Sequence, residues 1–221
     1  MASAVLERAK AELTDEQVVE RVLAGETELF EILMRRHNQR VYRAARSIVR
    51  DEHEAEDVMQ EAYVRAYQHL GQFAGRAKFS TWLTRIAVHE ALSRLERSRR
   101  FQELEPENET KGQIMNAAEN PEYHCASSET GRLLEQAIDA LPDTYRMVFV
   151  LRDVEELSTE EAGQVLGITQ ENVKTRLHRA RALLRRELYA RVGATGTSAF
   201  PFHAVRCDRV VNNVMERIAA L

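Results

Sequence analysis

Apolar residues recur at helical spacing through most of the first hundred positions of the chain, which predicts a series of amphipathic helices. The first begins at Thr14, which has the spacing of a capping box with Gln17, and its apolar stripe ends near Gly25. The same pattern predicts further helices from about Glu28 to Val49, from His53 to Leu70 and from Phe79 to Arg99.

The helical pattern stops at residues 101–130, which are acidic, contain two prolines and show one short helical turn near Ile114 at most. It resumes at Leu133, and Pro142 is expected as the first residue of a following helix. Beyond residue 190 a Gly/Thr/Ser hinge leads to a helix with Val210 and Ile218 on its apolar face. The predicted fold is all-α: two small helical domains at 14–100 and 131–190, a flexible acidic linker at 101–130 and a C-terminal helical extension at 191–221.

The net charge of -4 hides a segregated distribution. Residues 174–191 hold seven Lys and Arg against one Glu, whereas residues 101–130 hold seven Glu against one Lys. Local charge therefore says more about partners than the overall balance does. No window is apolar enough for a membrane span and no signal peptide is evident, and the two cysteines lie far apart, so we expect a cytoplasmic protein.

A helix-turn-helix is predicted between residues 158 and 190. Ser158 and Glu161 form a second capping-box pattern, and small Gly163, turn-forming Gly167 and β-branched Val173 follow at the spacing of this motif. The second helix gathers its apolar residues on one arc, opposite an outer face of small and cationic side chains. Such a face is typical of a helix that enters the major groove, although a basic helix alone would equally be a solvated surface.

Aromatic and cationic residues also alternate around residues 73–93. Trp82, Arg85, His89 and Ser93 share one arc of the predicted helix, and the preceding loop and helix start contribute Phe73, Arg76, Lys78 and Phe79. This combination suits unpaired bases, because rings stack on bases while cations hold phosphates. The alternative is that Trp82 belongs to the core.

Three segments in this order resemble bacterial RNA polymerase sigma factors of the extracytoplasmic-function (ECF) group, which keep the second and fourth sigma domains. They are DVMQEAYVRAYQHLGQF at 57–73, FSTWLTRIAVHEALSRL at 79–95, and LPDTYRMVFVLRDVEELSTEEAGQVLGITQENVKTRLHRARALLRREL at 141–188. The resemblance covers about residues 20–190 and implies an alternative sigma factor that binds core polymerase, directs it to promoters and helps melt them. It also implies control by an anti-sigma factor in a stress or envelope response.

The resemblance implies three sets of site residues. Docking on the clamp helices of the largest polymerase subunit falls to Asp57, Gln60, Glu61, Val64 and Gln68. Recognition and melting of the minus-ten element falls to Phe73, Arg76, Lys78, Phe79, Trp82, Arg85, His89 and Ser93. Reading of the minus-thirty-five element falls to Lys174, Thr175, Arg176, His178 and Arg179, with the polymerase flap as a further contact. Members often carry Asn where this chain has His89, and the tail beyond residue 190 is longer than the minimal family plan.

Other classes of function find less support in the sequence. His124, Cys125, His203 and Cys207 offer possible metal ligands or a redox pair, but no Cys-x-x-Cys is present and we expect neither a metal nor a cofactor. Phosphate-binding glycine loops, HExxH and nucleophile elbows are also missing, which argues against an enzyme. A stand-alone repressor remains the main alternative, and a protein-only interaction module is a third.

Overall fold

The computed structural model describes residues 13–104 and 129–196. Its α-helices in chain order are α1 (Asp15–Leu23), α2 (Phe30–Val49), α3 (Glu52–Gln68), α4 (Phe79–Leu104), α5 (Glu129–Asp139), α6 (Asp143–Phe149), α7 (Thr159–Leu166) and α8 (Gln170–Gly196). Short 3-10 turns cover Thr27–Leu29 and Leu70–Gln72, and a π-helical turn covers Val150–Val154. The all-α prediction is confirmed within these residues.

Local sequence signals fix several helix ends in the N-terminal half. The Thr14 hydroxyl accepts a hydrogen bond from the Gln17 amide at 3.3 Å, and the Gln17 side chain accepts one from the Thr14 amide at 2.9 Å, so the predicted capping box is present. The Asp51 carboxylate caps α3 by accepting one hydrogen bond from the amide of Glu54 at 2.9 Å. Helices α2, α3 and α4 pack against one another, and α1 covers the end of this bundle.

The C-terminal half joins α5 and α6 to the α7–α8 pair. Pro142 is the N-cap of α6 rather than its first helical residue, because its ψ of 145° is extended and the helix begins at Asp143. The chain then widens into the π-helical turn after Phe149, with more residues per turn than an α-helix. Helix α8 packs against α5, α6 and α7 and is therefore the central helix of this half.

Three helices extend a few residues into the ranges predicted as linker and tail. Helix α4 continues to Leu104, α5 begins at Glu129, and α8 continues to Gly196 through the start of the predicted hinge. The apolar periodicity that predicted α4 stops near Arg99, but no glycine or proline interrupts residues 99–104, so the helix continues. The predicted turn near Ile114 and the side chains of His124, Cys125, His203 and Cys207 lie outside the described residues.

The two halves share one hydrophobic core. Ala44, Ala45 and Ile48 of α2 and Val88 and Ala91 of α4 pack in the same cluster as residues of the second half, namely Ala137, Leu141, Val148, Phe149 and Leu151. Burial of such alkyl groups contributes about 25 cal/mol per Å² removed from water. The halves are therefore held in one body in this structure. No helix in the described ranges is long and apolar enough to cross a membrane.

Candidate functional site

The helix-turn-helix has the geometry that its sequence predicted. The Glu161 amide donates to the Ser158 hydroxyl at 3.1 Å and the Ser158 amide donates to the Glu161 carboxylate at 2.8 Å, which closes the capping box. Gly167 has a φ of +66° at the end of α7, a left-handed conformation that favours glycine. A Cβ at Gly163 would lie 2.9 Å from the Ile168 carbonyl oxygen, so only glycine allows the turn to fold back this closely.

Helix α8 presents two different faces. Its apolar residues are buried against the rest of the second half, as predicted: Val173, Leu177, Ala180 and Leu184. The residues assigned to DNA reading lie on the outside, where Lys174, Thr175, His178 and Arg179 are exposed and Arg176 is half-buried. The hydroxyl of Thr169 accepts a hydrogen bond from the Asn172 amide at 3.3 Å and so caps the N-terminus of α8.

Some cations of α8 are paired with residues of this chain, and others have no such partner within the described ranges and are available to bind DNA. Arg181 makes two hydrogen bonds of 2.7 Å to the Asp153 carboxylate, and this contact raises the pKa of Arg181 above its ordinary value. Arg179 reaches the Tyr145 hydroxyl only at 3.4 Å. Lys174 and Arg176 make no hydrogen bond or ion pair through their side chains with any residue in 13–104 or 129–196. The first two turns of α8 therefore keep their positive charge available.

An aromatic cluster supports the second surface. The rings of Phe73, Phe79 and Trp82 lie 5.5 to 5.7 Å apart between centroids. Phe79 is fully buried, whereas Phe73 and Trp82 are half-buried, so Phe79 supports the other two from below instead of facing solvent. His37 packs on Phe79 at 5.6 Å and contacts the Asp15 carboxylate at 2.7 Å, which anchors the cluster to α1 and α2.

Polar side chains continue this surface along α4. Arg85, His89 and Ser93 are exposed at intervals of four residues and follow Trp82 along one side of the helix. Arg76 is exposed in the preceding loop, and Lys78 is exposed at its end. Partial burial would raise the pKa of Asp15 beneath this surface, but hydrogen bonds from His37 and Arg36 hold it below its ordinary value. A carboxylate and its partners thus fix the base of the aromatic cluster.

A third surface lies on α3. All five residues assigned to docking are exposed. Asp57 accepts a hydrogen bond of 2.7 Å from Arg94, and Glu61 accepts one of 3.0 Å from Arg65, so both carboxylates are paired within the chain. Gln60, Val64 and Gln68 instead line an apolar groove of about 1160 Å³ between α2 and α3. The groove is lined by aromatic and methionine side chains, namely Phe30, Met34, Met59, Tyr63 and Tyr67.

Arginines of α2 form an interface that the sequence analysis missed. The Glu155 carboxylate accepts hydrogen bonds from Arg40 at 3.1 Å and from Arg43 at 3.2 Å. Arg46 contacts Asp139 at 3.0 Å, and Arg50 contacts Asp143 at 2.7 Å. We call these four arginines and their three acidic partners the interdomain seam. The spacing of the arginines at 40, 43, 46 and 50 follows one face of a helix and was the available signal.

A buried guanidinium locks the same interface. Arg146 is fully buried and donates to the Ser47 carbonyl at 2.7 Å, to the Leu141 carbonyl at 3.0 Å and to Asp143 at 2.9 Å. Burial lowers the pKa of Arg146 from its ordinary value, and its hydrogen bonds compensate for the lost water. Burial alone would raise the pKa of Asp143, but Arg50 and Arg146 hold it below its ordinary value.

One further contact joins the helix-turn-helix to the aromatic surface. The Thr81 hydroxyl on α4 donates to the Glu161 carboxylate on α7 at 2.9 Å. The hydrogen bond from the Ser158 amide, followed by those from the Thr81 and Ser158 side chains and the charge of Lys78, holds the pKa of Glu161 below its ordinary value. The carboxylate that caps α7 therefore also lies beside the cationic loop of the first half.

Comparison with known proteins agrees with this geometry. Residues 33–101 match the family model for Sigma-70 region 2, and residues 131–184 match the model for Sigma-70, region 4. The sigma factor SigW of Bacillus subtilis is 36% identical over 176 residues, covering 77% of this chain and 94% of that protein. The sigma-E factor of Escherichia coli K12 is 34% identical over the same length, covering 77% of this chain and 92% of its own.

Two solved structures have the same fold. The sigma factor RpoE of Bartonella quintana, solved with the anti-sigma factor NepR, has a TM-score of 0.58 at 22% identity, covering 72% of this chain and 96% of its own. CnrH, solved with the cytosolic domain of CnrY, has a TM-score of 0.54 at 26% identity, covering 78% of this chain and 96% of its own. The fold and both family models thus define a sigma-70-type protein. The chain belongs to the ECF group of RNA polymerase sigma factors.

Proposed function

We propose that this sigma factor divides promoter recognition between two surfaces of one chain, with residues 14–100 and 131–190 as the two working domains. Residues 101–130 tether them, and residues 191–221 form an extension. The observation that supports this division is that each half carries an exposed cation with no partner among the described residues, Arg85 on α4 and Lys174 on α8. Neither surface requires this chain to be an enzyme, and the work takes place on polymerase and DNA in the cytoplasm.

The outer face of α8 reads the minus-thirty-five element in this proposal. Recognition helices contact base edges with the residues near their N-terminus, where Lys174, Thr175 and Arg176 lie, followed by His178 and Arg179. Thr175 is small enough for close approach, while arginine binds the O6 and N7 atoms of guanine. We expect Arg176→Ala with Arg179→Ala to lower transcription from a promoter of this factor by at least about tenfold, since each good base contact is worth about 1–3 kcal/mol.

The matched control for this experiment lies on the same helix. Arg185→Ala with Arg186→Ala removes the same charge from exposed positions further along α8. The readout is run-off transcription by reconstituted holoenzyme, with core binding measured in parallel. Equal losses for both double variants would reduce the contact to non-specific charge and remove the assignment.

The aromatic surface of α4 melts and reads the minus-ten element in this proposal. Trp82 is partly exposed on a buried Phe79, so its ring is held in place for stacking on a base. Phe73, Arg76, Lys78, Arg85, His89 and Ser93 surround it and provide phosphate and base contacts. Trp82→Ala is expected to slow opening of the promoter, because stacking contributes about 1–3 kcal/mol per base. Opening is measured with 2-aminopurine placed in the minus-ten element, and its fluorescence should rise more slowly with this variant. Unchanged opening by this variant argues for a purely structural Trp82.

The α2–α3 groove docks on the clamp helices of the largest polymerase subunit in this proposal. Val64 is 52% exposed and Tyr67 is 43% exposed, which leaves an apolar strip on the outer wall. Asp57 and Glu61 exchange their partners at little cost, since ion pairs exposed to solvent contribute only about 0–1 kcal/mol. Val64→Glu is expected to abolish co-purification with core polymerase, whereas Glu20→Gln on exposed α1 should leave it intact.

Both DNA surfaces cannot work at once in the arrangement seen here. Elements centred about 10 and 35 base pairs before the start site lie roughly 85 Å apart along B-form DNA at 3.4 Å per base pair. In this structure α4 and α7 are in direct contact through Thr81 and Glu161, and α7 packs on α8. The interdomain seam must therefore open for the holoenzyme to form. This closed arrangement fits control by an anti-sigma factor, the class of partner with which the Bartonella quintana sigma factor was solved.

A stand-alone repressor makes the opposite prediction in one assay. A repressor retards promoter DNA by itself in a gel-shift, whereas this sigma factor should do so strongly only with core polymerase. Strong binding by the isolated chain would favour the repressor.

A further inference from the structure

The α2–α3 groove remains exposed when the two halves of the chain are packed together, and its apolar lining favours a bound partner. It is lined by Phe30, Met34, Met59, Tyr63, Val64 and Tyr67, and it lies on a different face of α2 from the interdomain seam. At about 1160 Å³ it exceeds an ordinary small-molecule pocket, and it runs between two helices as an open trough. Troughs of this kind typically accept the apolar face of an amphipathic helix.

The chain itself contains a segment with the matching pattern. Placed on a helical wheel at about 100° per residue, the apolar residues Val210, Val211, Val214, Met215 and Ile218 fall within an arc of about 140°. Such a stripe cannot remain in water at low cost and needs a partner surface. Arg206 and Arg217 lie next to each other at one edge of this arc, and Asp208 is the one acidic residue at the other edge.

The charges of the groove complement this edge. The charged residues that line it are Glu28, Glu31 and Glu56, and no Lys or Arg is among its lining residues in the described ranges. Glu31 is paired with Arg35 at 2.6 Å, whereas Glu28 and Glu56 make no ion pair with a described residue. Carboxylates on the rim favour an apolar helix with a cationic border over one with an acidic border.

The tail is long enough to reach the groove. Helix α8 is tied to α5 through Arg191 and Gln136 at 3.0 Å, and α5 is tied to α2 through Asp139 and Arg46. Met34 in the groove lies about 18 Å along α2 from Arg46. Residues 197–206 span up to about 33 Å when extended, and a helix over 207–220 adds about 21 Å.

We propose that residues 207–220 of the C-terminal tail occupy the α2–α3 groove of the same chain and compete with core polymerase for it. The competition rests on the proposed docking role of this groove, whereas occupation of the groove does not. Because the tail is tethered, it faces the groove at an effective concentration of millimolar order, so even a weak helix–groove contact fills the groove for much of the time. The apparent affinity for core polymerase is then reduced in proportion to the fraction of chains whose groove is free.

Occupation is tested by disulfide trapping in the full chain. With Cys125 and Cys207 replaced by Ser, Val64→Cys is combined with Val214→Cys on the apolar arc or with Asn212→Cys on the opposite face. Dilute oxidation is expected to give an intramolecular disulfide with Val214→Cys at several times the yield of Asn212→Cys. Equal yields for the two pairs overturn the proposal, as does a disulfide found only in concentration-dependent dimers, which would place a second copy in the groove.

Competition is tested by core affinity. Val214→Asp, which disrupts the stripe, is expected to tighten binding of the full chain to core by about 2- to 10-fold, whereas Asn212→Asp leaves it unchanged. If trapping succeeds but Val64→Glu still binds core normally, the docking role of the groove fails while its occupation by the tail stands. If trapping fails but Val64→Glu loses core binding, the docking role stands and this proposal is wrong.

Discussion

Glu155 offers the sharpest test of the closed arrangement, because one buried carboxylate holds two arginines of the other half. Its side chain is only 5% exposed, and it accepts hydrogen bonds from Arg40 and Arg43, whose side chains are 30% and 45% exposed. Glu155→Gln keeps the shape of the side chain and removes its charge. The expected effect therefore isolates the charge of the seam from its packing.

The magnitude follows from the exposure of the partners. A hydrogen bond between charged groups contributes about 1.5–3 kcal/mol, and a fully buried pair broken on one side costs more. Here both arginines are partly exposed and regain contact with water when the charge of Glu155 is lost. The loss of both contacts together is therefore expected to cost no more than the roughly 1.5–3 kcal/mol of one charged hydrogen bond. We expect Glu155→Gln to weaken the closed arrangement by about 1.5–3 kcal/mol, which is roughly 10- to 150-fold in the equilibrium between closed and open forms.

Electron spin resonance measures this equilibrium directly. Spin labels at Glu20→Cys on α1 and Tyr189→Cys on α8, in a background without native cysteines, report one narrow distance distribution when the halves are closed and a broad distribution when they separate. Both positions are exposed, and Tyr189 is 76% exposed. The matched control is Glu156→Gln, an exposed neighbour with no ion pair among the described residues. A Glu155→Gln distribution that matches both the control and the unaltered chain refutes the role of the seam.

Three further predictions follow from particular contacts. Gly163→Ala should lower the free energy of unfolding by about 1–3 kcal/mol in a urea titration, since its Cβ would meet the Ile168 carbonyl at 2.9 Å, and no loss would contradict the tight turn. Ser158→Ala should cost about 1 kcal/mol in the same titration by removing the cap of α7, and Ser158→Asp should restore most of it. Because the pKa values of Asp143 and Glu161 are lowered in the folded state, their contribution to stability is complete above the ordinary glutamate value of 4.5. It should be lost as the pH falls further through the lowered values, and a melting temperature that stays constant from pH 5 to pH 3 would contradict this.

The assigned DNA surfaces show how far residue pattern reaches. The spacing of Val173, Leu177 and Leu184 placed these residues on the buried side of α8 and so placed Arg179 outside, whereas Arg176 lies at the edge of this side and is half-buried. The same spacing could not separate Arg181 from its neighbours, although Asp153 neutralises it. Burial was equally beyond the reach of the pattern at Phe79. Its position beside a cationic loop suggested a contact with DNA, but its ring is fully buried beneath Trp82.

The sequence by itself determined the helices, their caps and the helix-turn-helix, because these depend on hydrogen bonds and side-chain periodicity within a few residues of one another. Tertiary structure alone decided the interdomain seam and the apolar groove. Arg46 and Asp139 are 93 positions apart in the chain, and the groove requires α2 and α3 to lie side by side. Contacts of this range depend on how whole helices pack, and the pattern of a single helix carries no record of the neighbour that its outer face will meet.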